Sequence, residues 1–200
     1  PTIEPIDSIR YLTNHSSGKQ GYEIAQQMIL SGAKVILVSG PTNLEPPFNS
    51  KIIRVKTANE MFNAVKKNLN VDIAIFTAAV ADVSPQNILK TKIQKNELNN
   101  IKLKKNKDIL YEVANLKKNR PKIVIGFAAE TNNHINNAKK KLLNKNCDAI
   151  VVNKIDKKNQ VFGSDFNKVS FVTKKTILNF NKTSKINVAK KVIRLIDSLQ

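Results

Sequence analysis

The run Arg10-Tyr11-Leu12-Thr13-Asn14-His15-Ser16-Ser17-Gly18-Lys19-Gln20-Gly21 sets paired hydroxyls, two glycines and a lysine where an apolar helical period begins. Such a segment can hold an anion. The first turn of a helix leaves main-chain N–H groups without intrahelical partners, and these donors, with the positive end of the helix dipole, bind phosphate oxygens. Ser16 or Ser17 is expected to cap the helix, while Gly18 and Gly21 let a ligand or a neighbouring strand approach the main chain. The run matches neither the P-loop pattern Gly-x-x-x-x-Gly-Lys-Ser/Thr nor the three-glycine dinucleotide fingerprint. Alone, Ser-Ser-Gly is an ordinary helix cap; its weight comes from polar segments further along the chain.

Those segments follow apolar runs. A helix is predicted from about Gly18 to Leu30, a strand over Ala33 to Ser39 ending in Ser39-Gly40-Pro41-Thr42, and a short strand over Ile52 to Val55. Thr57-Ala58-Asn59-Glu60 reads as a capping box for a helix to about Leu69. The strand Val71 to Phe76 ends in Thr77-Ala78-Ala79-Val80-Ala81-Asp82. Residues 83–107 break any sustained period and are dense in lysine, so a mobile flap or hairpin is expected there, then a helix from about Asp108 to Lys118. Lys122 to Ala128 reads as a strand leading to Glu130-Thr131-Asn132-Asn133 and a helix to Asn144, and Asp148 to Val152 as a strand ending at Asn153. A hairpin about Lys174-Lys175 and a helix from Ser184 to Leu199 complete the chain.

The alternation predicts an α/β, Rossmann-like fold: a mostly parallel sheet with helices on both faces, plus the flap and a C-terminal hairpin and helix. No internal repeat or linker divides it, so residues 1–200 are expected to form a single domain. In open α/β sheets ligands bind beyond the carboxyl ends of the strands, which is where the polar segments fall.

Composition narrows the function. With 41% hydrophobic residues among 200, a substantial core is available. No apolar run suits a membrane span or a secretory signal, so a cytoplasmic protein is expected. The single cysteine, Cys147, excludes an intrachain disulfide and reads as a small core residue. His15 and His134, the only histidines, fall in no metal-ligand spacing. Thirty-four Lys plus Arg against fifteen Asp plus Glu give +19, a field that draws anions. The lysines are dispersed among Asn and Ile, without the aromatic or zinc-ligand signatures of nucleic-acid binders, so a nucleoside triphosphate is favoured over nucleic acid.

Taken in order, the segments resemble phosphopantothenoylcysteine synthetase, the ligase half of the bacterial bifunctional coenzyme A biosynthesis protein. Arg10 to Gly21 is similar to that family's Arg-Tyr-x-Ser/Thr-Asn-x-Ser-Ser-Gly-x-x-Gly signature, and Val38-Ser39-Gly40-Pro41 to its next strand end. Thr77 to Asp82 resembles its Ala-Ala-Val-Ala-Asp motif, Lys92-Ile93-Gln94-Lys95 its Lys-Ile-x-Lys flap, and Gly126 to Thr131 its Gly-Phe-Ala-Ala-Glu-Thr motif. The likeness covers Pro1 to about Asp165 and continues more loosely beyond. Two features depart from the family: its usual first strand, ending in a Thr-x-Gly-Gly/Pro-Thr loop, and the preceding flavin-dependent decarboxylase half are expected to lie outside this sequence.

The resemblance implies joining 4′-phosphopantothenate to L-cysteine with CTP and Mg²⁺, through an acyl-cytidylate, in a homodimer without a nucleic-acid or membrane partner. It implies catalytic roles for Asn14, Lys92 and Arg10. Asn14 suits an amide that orients the acyl-cytidylate, Lys92 a cation over the triphosphate, and Arg10 either an anion clamp or a structural ion pair. It further implies nucleotide contacts from Phe76, Thr77, Ala78, Asp82, Lys92, Phe127, Lys141 and Lys145. Lys107, Asp108, Ile109 and Leu110 correspond to a Pro-Asp-Ile-Val segment, with Lys107 replacing proline. Ser16, Ser17, Gly18, Ala78, Ala79 and Lys95 are implied to meet substrate or its phosphate. No residues are assigned to the metal. Read from residues alone, Lys141 and Lys145 equally suit a solvated helix face, and Lys95 an ordinary loop lysine. A Rossmann-type NAD(P)-dependent oxidoreductase and a basic nucleic-acid-binding module are the alternative readings.

Overall fold

The structure, a computed structural model, describes residues 1–94, 100–155 and 163–199. It opens with two short antiparallel strands, β1 (Ile3–Pro5) and β2 (Tyr11–Thr13), then helix α1 (Lys19–Leu30). Parallel strands β3 (Ile36–Ser39) and β4 (Lys51–Arg54) precede α2 (Ala58–Lys67) and β5 (Ile73–Phe76). Strands β6 (Val83–Pro85) and β7 (Leu103–Lys105) pair antiparallel, and α3 (Ile109–Ala114) follows. Then come β8 (Ile123–Glu130), α4 (His134–Lys145) and β9 (Ala149–Lys154). The last part holds β10 (Phe166–Asn167), β11 (Val169–Thr173), β12 (Ile177–Asn179), β13 (Thr183–Ser184) and α5 (Lys185–Ile196).

The central sheet has the order β12-β11-β9-β8-β5, with β5, β8 and β9 parallel and β11 and β12 antiparallel. Strand alternation sends side chains to two cores. Val124, Ile150, Val152 and Val172 face α3 and α4, where Val113, Ala138 and Leu142 meet them. Ile125, Val151 and Phe171 face α5, which supplies Val188, Val192 and Ile196. Both faces of β8 and β9 are therefore apolar, and each such fully buried side chain stabilises the fold by roughly 1.5–3 kcal/mol. The expected α/β architecture is the one found.

Local signals explain several boundaries. Thr57 caps α2 by accepting from the Glu60 N–H at 3.1 Å, and the Glu60 carboxylate reaches back to the Lys56 N–H at 2.7 Å, one residue beyond a standard capping box. Ser184 caps α5 and Asp108 caps α3 in the same way. Helix α3 stops at Ala114, short of the expected Lys118, because the Arg120 Nε takes the Ala114 carbonyl and the Asn115 side chain takes that of Tyr111. The cap of α1 differs from expectation. Gly18, at φ 78°, occupies the cap position without a side-chain bond to the helix, so neither Ser16 nor Ser17 caps it.

Candidate active site at the strand ends

Gly18 lies against Thr42 and Leu44, and Gly21 sets the start of α1 against the end of β5. A Cβ on Gly21 would lie 2.5 Å from the Thr77 Oγ1, so the absence of a side chain there is what lets α1 close on Thr77. The Ser16 and Ser17 hydroxyls sit over their own turn, accepting long bonds of 3.4 Å from the Gly18 and Lys19 N–H groups. Thr42, in the loop after β3, donates to the Ser17 carbonyl at 3.0 Å. Asn14 donates its Nδ2–H to the Val80 carbonyl at 3.2 Å, tying the segment before α1 to the loop after β5.

That loop is fixed from other directions as well. The Thr2 N–H donates to the Ala79 carbonyl, the Thr2 hydroxyl accepts from Ala81, and Asn106 bonds the carbonyls of Ala81 and Asp82. Ala78 and Asp82 are left exposed at the strand end and Ala79 half-buried. Small side chains here keep the main chain open to a ligand.

Beside this lies a second constellation. Asp7 accepts from the N–H groups of Ile9 and Arg10 at 2.8 Å each and from Ile93 at 3.1 Å. The Ile9 N–H, with those of Arg10 and Ile93 and the Arg10 charge, holds the buried Asp7 carboxyl below its ordinary value against the opposing effect of burial. Arg10 lies 3.4 Å from Asp7 through Nε and donates from Nη2 to the Ile93 carbonyl at 2.7 Å, while its buried Nη1 has no partner among the described residues. An unpaired buried guanidinium N–H is costly, on the order of 1–3 kcal/mol, and marks a donor suited to an acceptor. Lys92, exposed, adjoins Ile93; Lys95 lies outside the described residues.

A third group stands on α3, β8 and α4. Lys141 forms a 2.6 Å ion pair with Glu130, whose other oxygen accepts from Asn137 at 2.8 Å. Burial opposes ionisation of Glu130, but the Lys141 and Asn137 bonds outweigh it and lower its pKa. Lys145 pairs with Asp108. The two lysines are thus paired with carboxylates, Lys141 with Glu130 at the end of β8 and Lys145 with Asp108 at the cap of α3. Phe76 and Leu110 pack half-buried against one core and Phe127 against the other, while Ile109 is buried. Lys107 is drawn aside, its ammonium 4.4 Å above the Phe62 ring. It lines a cleft of about 510 Å³ with Glu4, Thr57, Ser84, Ile88 and Lys104, which holds none of the other anticipated residues.

Sequence reasoning did not anticipate three arrangements. Asp7 carried a signal, an aspartate three residues before an arginine in a turn, but its partner Ile93 is remote. The Lys19–Asp165 ion pair, which raises the lysine pKa and lowers that of the aspartate, also joins distant segments. Lys185, buried beside that pair and lowered by burial, follows a cap residue where a solvated lysine is the usual reading. Among the described residues, no three His, Cys, Asp or Glu side chains gather as a metal site, and no helix is long and apolar enough to cross a membrane.

Residues 1–199 match the family described as DNA/pantothenate metabolism flavoprotein C-terminal domain. The coenzyme A biosynthesis bifunctional protein CoaBC of Borreliella burgdorferi is 42% identical over 199 residues, which is 98% of this chain and 50% of that protein. The crystal structure of a CoaBC C-terminal domain superposes with a TM-score of 0.84 at 37% identity, covering 100% of this chain and 91% of the other. A Cab2 mutant solved with phosphopantothenate-cysteine has the same fold, with a TM-score of 0.74 at 16% identity over 99% of this chain and 84% of that one. The chain spans about half the length of the CoaBC protein it matches. Sequence and fold agree, and the chain belongs to the DNA/pantothenate metabolism flavoprotein C-terminal domain family.

Proposed function

We propose that this domain is the ligase of coenzyme A biosynthesis that joins 4′-phosphopantothenate to L-cysteine at the expense of CTP, by way of an acyl-cytidylate. The observation that carries this reading is the meeting of the α1 turn with the small residues after β5, tied together by the Asn14 bond to Val80. The CoaBC relatives and the phosphopantothenate-cysteine complex of a protein of like fold support it.

In the first step the substrate carboxylate attacks the α-phosphorus of CTP and pyrophosphate leaves. Both reactants are anionic, so the barrier falls when cations neutralise the approach and donors fix the geometry. Lys92, Lys141 and Lys145 serve the triphosphate; the last two are positioned by Glu130 and Asp108, whose carboxylates yield them to the more highly charged ligand. Phe76, Thr77, Phe127 and the 107–110 segment border the nucleotide. In the second step the cysteine amine attacks the acyl carbon, CMP leaves, and the amine loses a proton. Asn14, presented by the same segment as Arg10, orients the acyl group, and Ser16, Ser17, Gly18, Ala78 and Ala79 receive the phosphorylated substrate, a role the reading extends to Lys95.

Mg²⁺ usually keeps one or two carboxylates and binds chiefly through substrate phosphates. Asp82, an exposed carboxylate at the strand end, fits that demand, and the ion when bound would neutralise charge on the triphosphate. Exposed Ile9, Tyr11, Ile88, Leu89 and Leu103, in or beside the β1-β2 and β6-β7 pairs, are the apolar side chains the reading assigns to a homodimer contact. The reading further places the reaction in the cytoplasm and, in the full-length protein, beside a flavin-dependent decarboxylase. Incubation with 4′-phosphopantothenate, cysteine, Mg²⁺ and either CTP or ATP tests it. The cysteine adduct, identified by mass and formed faster with CTP, is expected; no adduct with either nucleotide would refute it.

A further inference from the structure

The turn of residues 6–10 has two jobs for one buried carboxylate. Asp7, 5% exposed, spends Oδ1 on its own turn, accepting from Ile9 and Arg10, a local arrangement that aspartate and asparagine both support. Its Oδ2 is directed elsewhere. That oxygen accepts the Ile93 N–H at 3.1 Å, and the Arg10 Nη2, on the guanidinium paired with the same carboxylate, donates to the Ile93 carbonyl at 2.7 Å. Two side chains thereby grip both main-chain polar groups of one residue, as a neighbouring strand would. The Leu89 N–H donates to the Ile6 carbonyl at 3.1 Å, docking the approach to Ile93 on the same turn. Lys92 adjoins the gripped residue, so the direction in which its side chain leaves the segment follows from the grip.

We propose that Asp7 is a positioning residue for nucleotide binding: with Arg10 it clamps the main chain of Ile93 and thereby sets the place of Lys92. The inference rests on the reading that Lys92 meets the triphosphate. Arg10 is then a structural partner, since Nε and Nη2 serve the clamp, while its buried Nη1 keeps a donor without a partner among the described residues. A carboxylate is required at position 7 because an amide would set an N–H₂ group against the Ile93 N–H and the Arg10 guanidinium while keeping the acceptor that the turn needs.

Asp7→Asn therefore separates the clamp from the turn. The expected result is a KM for CTP raised about tenfold, kcat changed less, a lowered melting temperature with the fold retained, since a buried paired carboxylate is lost, and amide exchange at Ile93 accelerated about tenfold. In a Lys92→Ala background, Asp7→Asn is expected to add nothing to the loss of CTP affinity, because both changes remove one interaction. Additive losses, or an Ile93 amide whose exchange is unaltered, would overturn the clamp while leaving the ligase reading intact. A Lys92→Ala variant with ordinary CTP kinetics would overturn the role of Lys92 and the clamp's purpose together. Absence of turnover in the unaltered protein would contradict the ligase reading alone, and the exchange measurement would then decide the clamp.

Discussion

Asn14 and Val80, 66 positions apart, are joined by a 3.2 Å bond from the asparagine amide to the valine carbonyl, and the bond fastens the residue before the α1 turn to the loop that ends β5. It uses one N–H of the Asn14 amide, and the second N–H can donate to an acyl oxygen at the strand ends. An asparagine held there by one donor can present the rest of its amide to a reacting acyl group.

Asn14→Ala is accordingly expected to lower turnover by about 10²–10³-fold, the range found when a preorganised donor is removed from a reaction site. The bond is exposed, so the melting temperature should change little. Steady-state rates with thermal melting check this; a large fall in stability would make Asn14 a structural residue.

Glu130 gives a pH prediction. Its native pKa is depressed below the ordinary 4.5, so the ionised group contributes stability that is fully present above that value and is lost as pH falls through the lower native one. Thermal melting between pH 6 and about 3 should show wild-type stability declining in acid, and Glu130→Gln should decline less steeply. Equal slopes would show that the Lys141–Glu130 pair does not stabilise the strand end.

Cys147 should be inert. Burial, with the thiol 1% exposed, pushes its pKa up to about 11, so at pH 8 almost none is thiolate. Iodoacetamide is expected to leave the native protein unlabelled and to modify it once guanidinium unfolds it, as mass spectrometry would show. Rapid native labelling would mean that the α4–β9 junction opens locally.

Gly40 is the glycine least replaceable for packing. A Cβ there would stand 1.8 Å from the Pro1 carbonyl oxygen, a main-chain atom that cannot rotate aside. Gly40→Ala is expected to cost about 1–3 kcal/mol through displacement of residues 1–2, which support the Ala79–Ala81 loop. Denaturant unfolding measures the cost, and an unchanged midpoint would show that residues 1–2 shift freely.

The layers of this fold were readable because they depend on local pattern. Val124 and Ile125, or Ile150 and Val151, lie in short uninterrupted apolar runs bounded by turn residues, the pattern of a strand covered on both faces, and Thr57 with Glu60 marks a helix start within four residues. Motif order likewise led to the strand ends. What stayed hidden depends on distance or on a subtle local choice. The Asp7–Ile93 bond spans 86 positions and the Lys145–Asp108 pair 37, and neither leaves a trace in nearby residues. Strands β1 and β2 have three residues each, too few to show a period. At the α1 cap, the left-handed backbone at Gly18 displaced the serines that cap preference alone would choose.

The most direct test follows pyrophosphate in the absence of cysteine. With CTP, Mg²⁺ and 4′-phosphopantothenate, the protein should release about one pyrophosphate per active site and then stall until cysteine is added, as expected for a covalent-intermediate burst. Lys92→Ala should slow that burst. Pyrophosphate release that needs cysteine from the outset, or none at all, would contradict an acyl-cytidylate formed at these strand ends.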